Sequence, residues 1–521
     1  METEKPSEVE AHRYFPGSSE LNIPFIKSDN SKVLISAGLG GMLFLILIAH
    51  SQSQPKYPSS TQGYYAQELD WKSCYYDYQC ADLLVPIDYE KLSTGTFKIS
   101  LLKFQAIGAK KLGSIVVNHG GPGSSGEDYA YSAQYIFSTD ILDKYDIVGF
   151  DPRGVSRSEP IVCLTEQELD ANYTSDSKPD NDKEFHLIIK DTKKFIEKCR
   201  NNNKHLEAFS TANAARDMDI LRQAIGDKQL NYMGKSYGTY LGTIYAQFFP
   251  DKVGRLVLDG AVDPTISNYQ QSLTQALGFD HAFNAFHKDC LKRKDCTLPP
   301  DKSAAIKEMQ KLFNQAEEKP LQTLRKSKRT VSETLLVLGT ASAMYDSESG
   351  WPKLRKAINQ AKNGYGDKFL ALADDYTGRK TDGTYPNNES DAGAIIDCLD
   401  FNESRSPDQI RKDAPSFAKA APLFGPYLAY GGLTCKYFHP KKEINIALTK
   451  TANPIIVIGT TGDPATPYEW AQGLHKLLTN SILISLTGEG HTGQGQGSAC
   501  IDDQIDDFYL TKKLPVTSTC N

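Results

Sequence analysis

Six short apolar runs, each ending in a loop of glycine, proline or charged residues, constrain this chain more than any other feature. They are GSIVVNHGGPG (113–123), YDIVGFDPRGVSRS (145–158), LNYMGKSYG (230–238), GRLVLDGAVDP (254–264), NPIIVIGTTGDPATP (453–467) and SILISLTGEGHTG (481–493). Almost unbroken apolar runs of this kind suit strands buried on both faces, as in a parallel sheet. Helical patterns separate them: TANAARDMDILRQAI (211–225), YLGTIYAQFFP (240–250) and YEWAQGLHKLL (468–478). Strands alternating with helices predict an α/β architecture, a mostly parallel sheet flanked by helices.

Residues 265–440 break that rhythm. They are richer in helix-like stretches, lysine and polar loops, and read as a large, mainly helical lid inserted before the last strands. Its basic clusters, LKRKDC and RKSKR, read as solvated faces. The core then comprises 64–264 and 441–521. A chain of 521 residues has length enough for a large core and an added domain. The net charge of −6 is mild and argues against nucleic acid as the main partner.

The stretch VLISAGLGGMLFLILIA (33–49) carries no charge and follows Lys27 and Lys32. It has the length of a short spanning helix and no amphipathic stripe. A tail over 1–32 is long for the leading part of a cleavable signal. The expectation is therefore a single-pass type II anchor with the tail in the cytoplasm. Cleavage after Ala49 or Ser51, giving a secreted protein, is the alternative. Residues 50–63 read as a tether.

Ten cysteines fit an exported protein. They fall in sequence-neighbour pairs, Cys74/Cys80, Cys163/Cys199, Cys290/Cys296, Cys398/Cys435 and Cys500/Cys520, although sequence does not fix connectivity. No C-x-x-C spacing or Cys/His cluster points to a metal. Asn172, Asn388 and Asn402 head glycosylation tripeptides.

The chemistry gathers at the run ends. Gly234-Lys235-Ser236-Tyr237-Gly238 fits G-x-S-x-G, with a strand-like run before it and a helix-like run after. A serine hydroxyl needs a base to become a nucleophile, and the tight strand-to-helix turn that presents it needs small residues two before and two after. Asp463 ends the penultimate run and His491 the last, giving the order Ser, Asp, His. His491 would take the serine proton and Asp463 would hold the imidazole. Asp259 and Asp263 are the rival acids. His119 lies upstream of the serine, the wrong side for the base, and His205, His281, His287 and His475 sit in helical or lid contexts. Backbone N–H groups of Tyr237 and of Gly121, in the HGGPG loop, are the candidates for an oxyanion hole.

Together HGGPG, DPRGVSRS, TANAARDMDILRQAIG, GKSYGTYLGTIYAQFFPDKVGRLVLDGAVDP, GTTGDPATPYEWA and GEGHT resemble the secreted tripeptidyl aminopeptidases, α/β-hydrolase peptidases of the prolyl-iminopeptidase group. The likeness runs from about Tyr65 to the C terminus and is weakest in the lid. It implies an α/β-hydrolase fold with Ser236 as nucleophile, Asp463 as acid and His491 as base. It also implies release of short pieces from free peptide N termini without metal or organic cofactor. Cys500 and Cys520 look like the pair that closes the family's C-terminal region. Lys235 departs from the small residue expected before the serine, at a position that would face the site.

An aminopeptidase must recognise an ammonium, which calls for a carboxylate near the pocket, expected on the lid. The sequence singles none out. A carboxylesterase or lipase uses the same fold and triad, so it is the competing enzyme reading. A non-catalytic binding protein would have lost a member of the constellation, and all are present.

Overall fold

The computed structural model describes residues 58–324, 329–439 and 444–521. The apolar stretch 33–49 and most of RKSKR lie outside them. No helix among the described residues is long and apolar enough to cross a membrane. Among the described residues the first helix, Thr61–Tyr65, overlaps the expected tether and is capped by the Ser60 hydroxyl.

The described residues form one ten-stranded sheet. Its strands are β1 (Lys72–Cys74), β2 (Tyr78–Pro86), β3 (Thr96–Phe104), β4 (Gly113–Asn118), β5 (Tyr145–Phe150), β6 (Leu230–Lys235), β7 (Val253–Asp259), β8 (Ile455–Gly462), β9 (Ser481–Glu489) and β10 (Thr519–Cys520). The spatial order is β1-β2-β3-β5-β4-β6-β7-β8-β9-β10. From β5 to β10 every pairing is parallel. The pairings β1–β2, β2–β3 and β3–β5 are antiparallel.

The parallel strands are the apolar runs. Ile455, Ile456, Val457 and Ile458 are all fully buried, each contributing about 1.5–3 kcal/mol on burial. Helices Thr211–Ala224 and Tyr237–Phe248 pack on one face, and Ala499–Thr511 packs on the other. The strand order reverses between β4 and β6, and open α/β sheets bind ligands beyond the strand ends near such a reversal.

The insertion is helical, as expected. Helices between Asn268 and Thr377 surround a core of their own, centred on Phe283, Phe286, Phe313 and Phe369. Helix Glu389–Asp400 and Cys435 instead pack into the main core, so the lid's second half is fastened to the body. Disulfides join Cys74–Cys80, Cys163–Cys199, Cys290–Cys296, Cys398–Cys435 and Cys500–Cys520.

Two glycosylation candidates, Asn172 and Asn402, are exposed. The third, Asn388, is half-buried. Its amide nitrogen donates to the carbonyls of Gly154 (2.8 Å) and Ile161 (2.9 Å), and its oxygen accepts from Ser156 N–H (2.8 Å). The nitrogen a glycan would need is committed to joining the lid to the 151–161 loop.

Candidate active site

Ser236 sits between β6 and the helix Tyr237–Phe248, with φ 54° and ψ −125°. A non-glycine residue held at positive φ is strained, and the surrounding turn must enforce it. Here it is enforced by close packing. A Cβ on Gly234 would lie 2.4 Å from the Gly238 carbonyl oxygen, so only glycine fits. The Ser236 N–H is anchored on the Asp259 carbonyl oxygen at 2.9 Å, and its hydroxyl makes no capping bond to the helix it precedes.

The HGGPG loop lies directly against this turn. Gly120, at φ +116°, would place a Cβ 2.9 Å from Ser236 Cβ and 3.2 Å from Tyr237 N. Among the described residues, neither the Gly121 nor the Tyr237 N–H donates to a protein acceptor. Open donors beside a serine are what a developing oxyanion requires.

His491 and Asp463 meet from the ends of β9 and β8. The His491 Nδ1–H donates to both Asp463 carboxylate oxygens at 2.9 Å. A carboxylate only accepts, so the shared hydrogen sits on Nδ1, and in the neutral imidazole the lone pair is then on Nε2. The Asp463 side chain is fully buried and that of His491 is 12% exposed. Asp463 also accepts from the N–H groups of Ala465 (2.9 Å), Thr466 (2.8 Å) and Thr492 (3.1 Å) and from the Thr466 hydroxyl (3.0 Å). That many donors fix the orientation of a buried carboxylate.

The rivals are occupied elsewhere. Asp263 accepts from Thr265 N–H and hydroxyl. Asp259 accepts from the N–H groups of Gly493 (2.7 Å) and Gln494 (2.9 Å). Lys235 does not line an open pocket, contrary to the sequence expectation. Its side chain is buried and its ammonium donates to the Gln494 carbonyl oxygen at 3.2 Å.

Three features escaped the sequence reading. Thr466 braces the acid and lies 3.4 Å from His491 Nδ1; its place three residues after an aspartate was the available signal. Tyr345 reaches in from the lid, its ring edge-on to His491 at 5.3 Å and its carbonyl accepting the His491 N–H at 2.9 Å. Glu389, also of the lid, accepts from the Ser124 hydroxyl at 2.5 Å, just past the HGGPG loop. The Glu389 charge is felt by Tyr173, Tyr345 and Tyr376, so these groups share one space.

Tyr376 keeps 44% of its surface accessible, yet desolvation raises its phenol. Glu389 is only half-buried, yet desolvation pushes its carboxyl up, partly offset by the Ser124 bond. His119 is exposed, yet desolvation, with Lys235 and His491 nearby, pushes its imidazole down to about 4. All three groups keep some solvent access while protein packed around them disfavours their charged forms.

Residues 113–498 match the alpha/beta hydrolase fold family, and the chain belongs to it. It is similar to the serine protease Hip1 of Mycobacterium tuberculosis, with 32% identity covering 84% of this chain and 86% of the relative. Carboxylesterase B of the same species is 34% identical, covering 84% and 85%. The tripeptidyl aminopeptidase of Streptomyces coelicolor is 28% identical, covering 85% and 84%. The chain is a serine hydrolase.

Proposed function

We propose that this serine hydrolase is an aminopeptidase that removes short peptides from free N termini. Ser236 Oγ attacks the scissile carbonyl while His491 Nε2 takes its proton. The tetrahedral oxyanion is held by the Gly121 and Tyr237 N–H groups, and Asp463 stabilises the imidazolium. His491 then protonates the leaving amine, and the N-terminal fragment stays as an ester on Ser236. Water, deprotonated by His491, releases it as a free acid.

The observation that carries the exopeptidase reading is Glu389. It is a half-buried carboxylate beside the oxyanion loop, held by Ser124 and close enough to Tyr173, Tyr345 and Tyr376 to raise their phenols. A substrate ammonium would be drawn to that carboxylate and to the aromatic faces. The released length, two residues or three, follows from the distance between this carboxylate and Ser236.

The similarity to a carboxylesterase favours a second reading, esterase chemistry on the same triad. A peptide-library digest read by mass spectrometry, run beside short acyl esters, separates the two. Cleavage at a fixed distance from free N termini is expected. Ester turnover without amide turnover, or equal rates on N-acetylated peptides, refutes the aminopeptidase.

For location we propose that residues 33–49 anchor the catalytic body outside the cytoplasm, with secretion following if that segment is cleaved. The five disulfides support an oxidising compartment. Protease protection of a C-terminal tag in sealed vesicles tests it; digestion of the tag from the cytoplasmic side refutes it.

A further inference from the structure

Lys235 and Asp259 belong to neighbouring strands and face each other in register, at the C-terminal ends of β6 and β7. Both side chains are buried, which is costly for two charged groups unless each is compensated. Their partners are what give the pair meaning. The backbone carbonyl of Asp259 accepts the Ser236 N–H at 2.9 Å. Its carboxylate accepts the Gly493 and Gln494 N–H groups at 2.7 and 2.9 Å, two and three residues beyond His491. The Lys235 ammonium donates to the Gln494 carbonyl oxygen at 3.2 Å, so residue 494 is gripped at its N–H by one side chain and at its C=O by the other.

We propose that Lys235 and Asp259 are a positioning pair. Asp259 ties the backbone of Ser236 to the loop carrying His491, and Lys235 holds that loop from the other side while keeping Asp259 ionised. This rests on the reading of Ser236 and His491 as nucleophile and base. Neither side chain touches substrate; both act by fixing the relative place of two groups that do. Desolvation pushes the Asp259 carboxyl up, and Lys235, the two N–H donors and His491 pull it back. Desolvation likewise pushes the Lys235 ammonium down, opposed by Asp259 and Asp502. Tyr129, from the helix Gly126–Tyr131, faces the same pair, and His119 lies close enough to feel Lys235.

Ionised, Asp259 accepts one N–H on each oxygen; a proton on either oxygen turns it into a donor and weakens that bond. Without the neighbouring ammonium its carboxyl binds a proton more readily, so the loop loosens as pH falls.

The test measures kcat and KM across the pH range for Lys235→Met, Asp259→Asn and the double variant, on a substrate the wild type turns over. The rate at which a fluorophosphonate labels Ser236 is followed in parallel. Asp259→Asn is expected to lower kcat and the labelling rate together by roughly 10- to 100-fold, because a displacement near 1 Å costs that much, with KM little changed. Lys235→Met is expected to lose most at acid pH and to recover as pH rises. The double variant should match Asp259→Asn and show no such recovery. A loss from Lys235→Met that is equal at every pH, or a wild-type kcat in Asp259→Asn, overturns the proposal. If Lys235→Met does not fold, Asp259→Asn and its labelling rate decide. Failure of both to fold assigns the pair to stability and also overturns it. Wild-type protein unlabelled at Ser236 refutes the parent reading instead, so the two failures are distinguishable.

Discussion

Replacing Glu389 by glutamine removes one charge and almost nothing else, which makes its effect calculable. The Ser124 hydroxyl, 2.5 Å from Glu389 Oε1, can donate equally to the glutamine oxygen, so the helix Glu389–Asp400 keeps its attachment to the oxyanion loop. What disappears is a charge-assisted bond to the substrate ammonium, worth about 1.5–3 kcal/mol. At about 1.4 kcal/mol per decade, kcat/KM on peptides with a free N terminus falls roughly 10- to 150-fold. The matching N-acetylated peptides, which carry no charge there, keep their wild-type rate. A pH signature accompanies the loss. Burial raises the Glu389 carboxyl, and its neutral form does not attract an ammonium. Wild-type kcat/KM on free peptides therefore declines as pH falls through that raised value, above the usual carboxylate range, and acetylated peptides lack this limb. The assay compares paired chromogenic tripeptides, free and acetylated, across pH. An unchanged ratio of free to acetylated rates in Glu389→Gln, or an equal loss on both, refutes the reasoning.

Other outcomes follow from the same geometry. Asp463→Asn leaves His491 Nδ1 facing an amide and should cost roughly 10⁴-fold in kcat, whereas Asp263→Asn should cost little; steady-state kinetics with the opposite ranking would reassign the acid. Arg153, fully buried, bonds Asp217 through two nitrogens at 2.6 and 2.7 Å and also the carbonyls of Pro86, Ile87 and Ala208. Arg153→Leu strands the Asp217 carboxylate and should destabilise the fold by about 3–5 kcal/mol, read by denaturant melts. The Cys398–Cys435 disulfide closes a 37-residue separation and joins two lid segments to the main core. The paired serine variant should lose about 4 kcal/mol in the chain-entropy account, and a melt unchanged from wild type would contradict that.

The parallel half of the sheet was legible because burial on both faces keeps β4 to β8 almost wholly apolar, and β9, half-buried along much of its length, still reads as an apolar run. β2 and β3 were not, because each has one partly solvated face; Asp82 and Lys98 project outward among buried neighbours. Ser236, Asp463 and His491 were visible because each ends a recognisable run. Asp463 over Asp259 was not decided by spacing, since both are aspartates at strand ends. The loop geometry separates them, sending one carboxylate to an imidazole and the other to two backbone N–H groups. Glu389 gave no signal at all: its meaning depends on meeting Ser124 across 265 residues of chain.

The lid meets the reacting groups at two separate places, and this bears on how specificity and chemistry are joined. Through Tyr345 it accepts a hydrogen bond from the backbone of His491, and through Glu389 it accepts one from the loop that holds the Gly121 N–H. The two contacts come from different lid segments, one in the half with its own core and one in the half fastened to the body. In the proposed reaction a substrate ammonium at Glu389 would sit on the oxyanion side, while Tyr345 holds the backbone of His491 from another part of the lid. An esterase substrate lacking that ammonium would leave the first contact idle. Under the proposed function the same triad would serve both chemistries, and the ammonium contact at Glu389 would favour the peptide in the transition state.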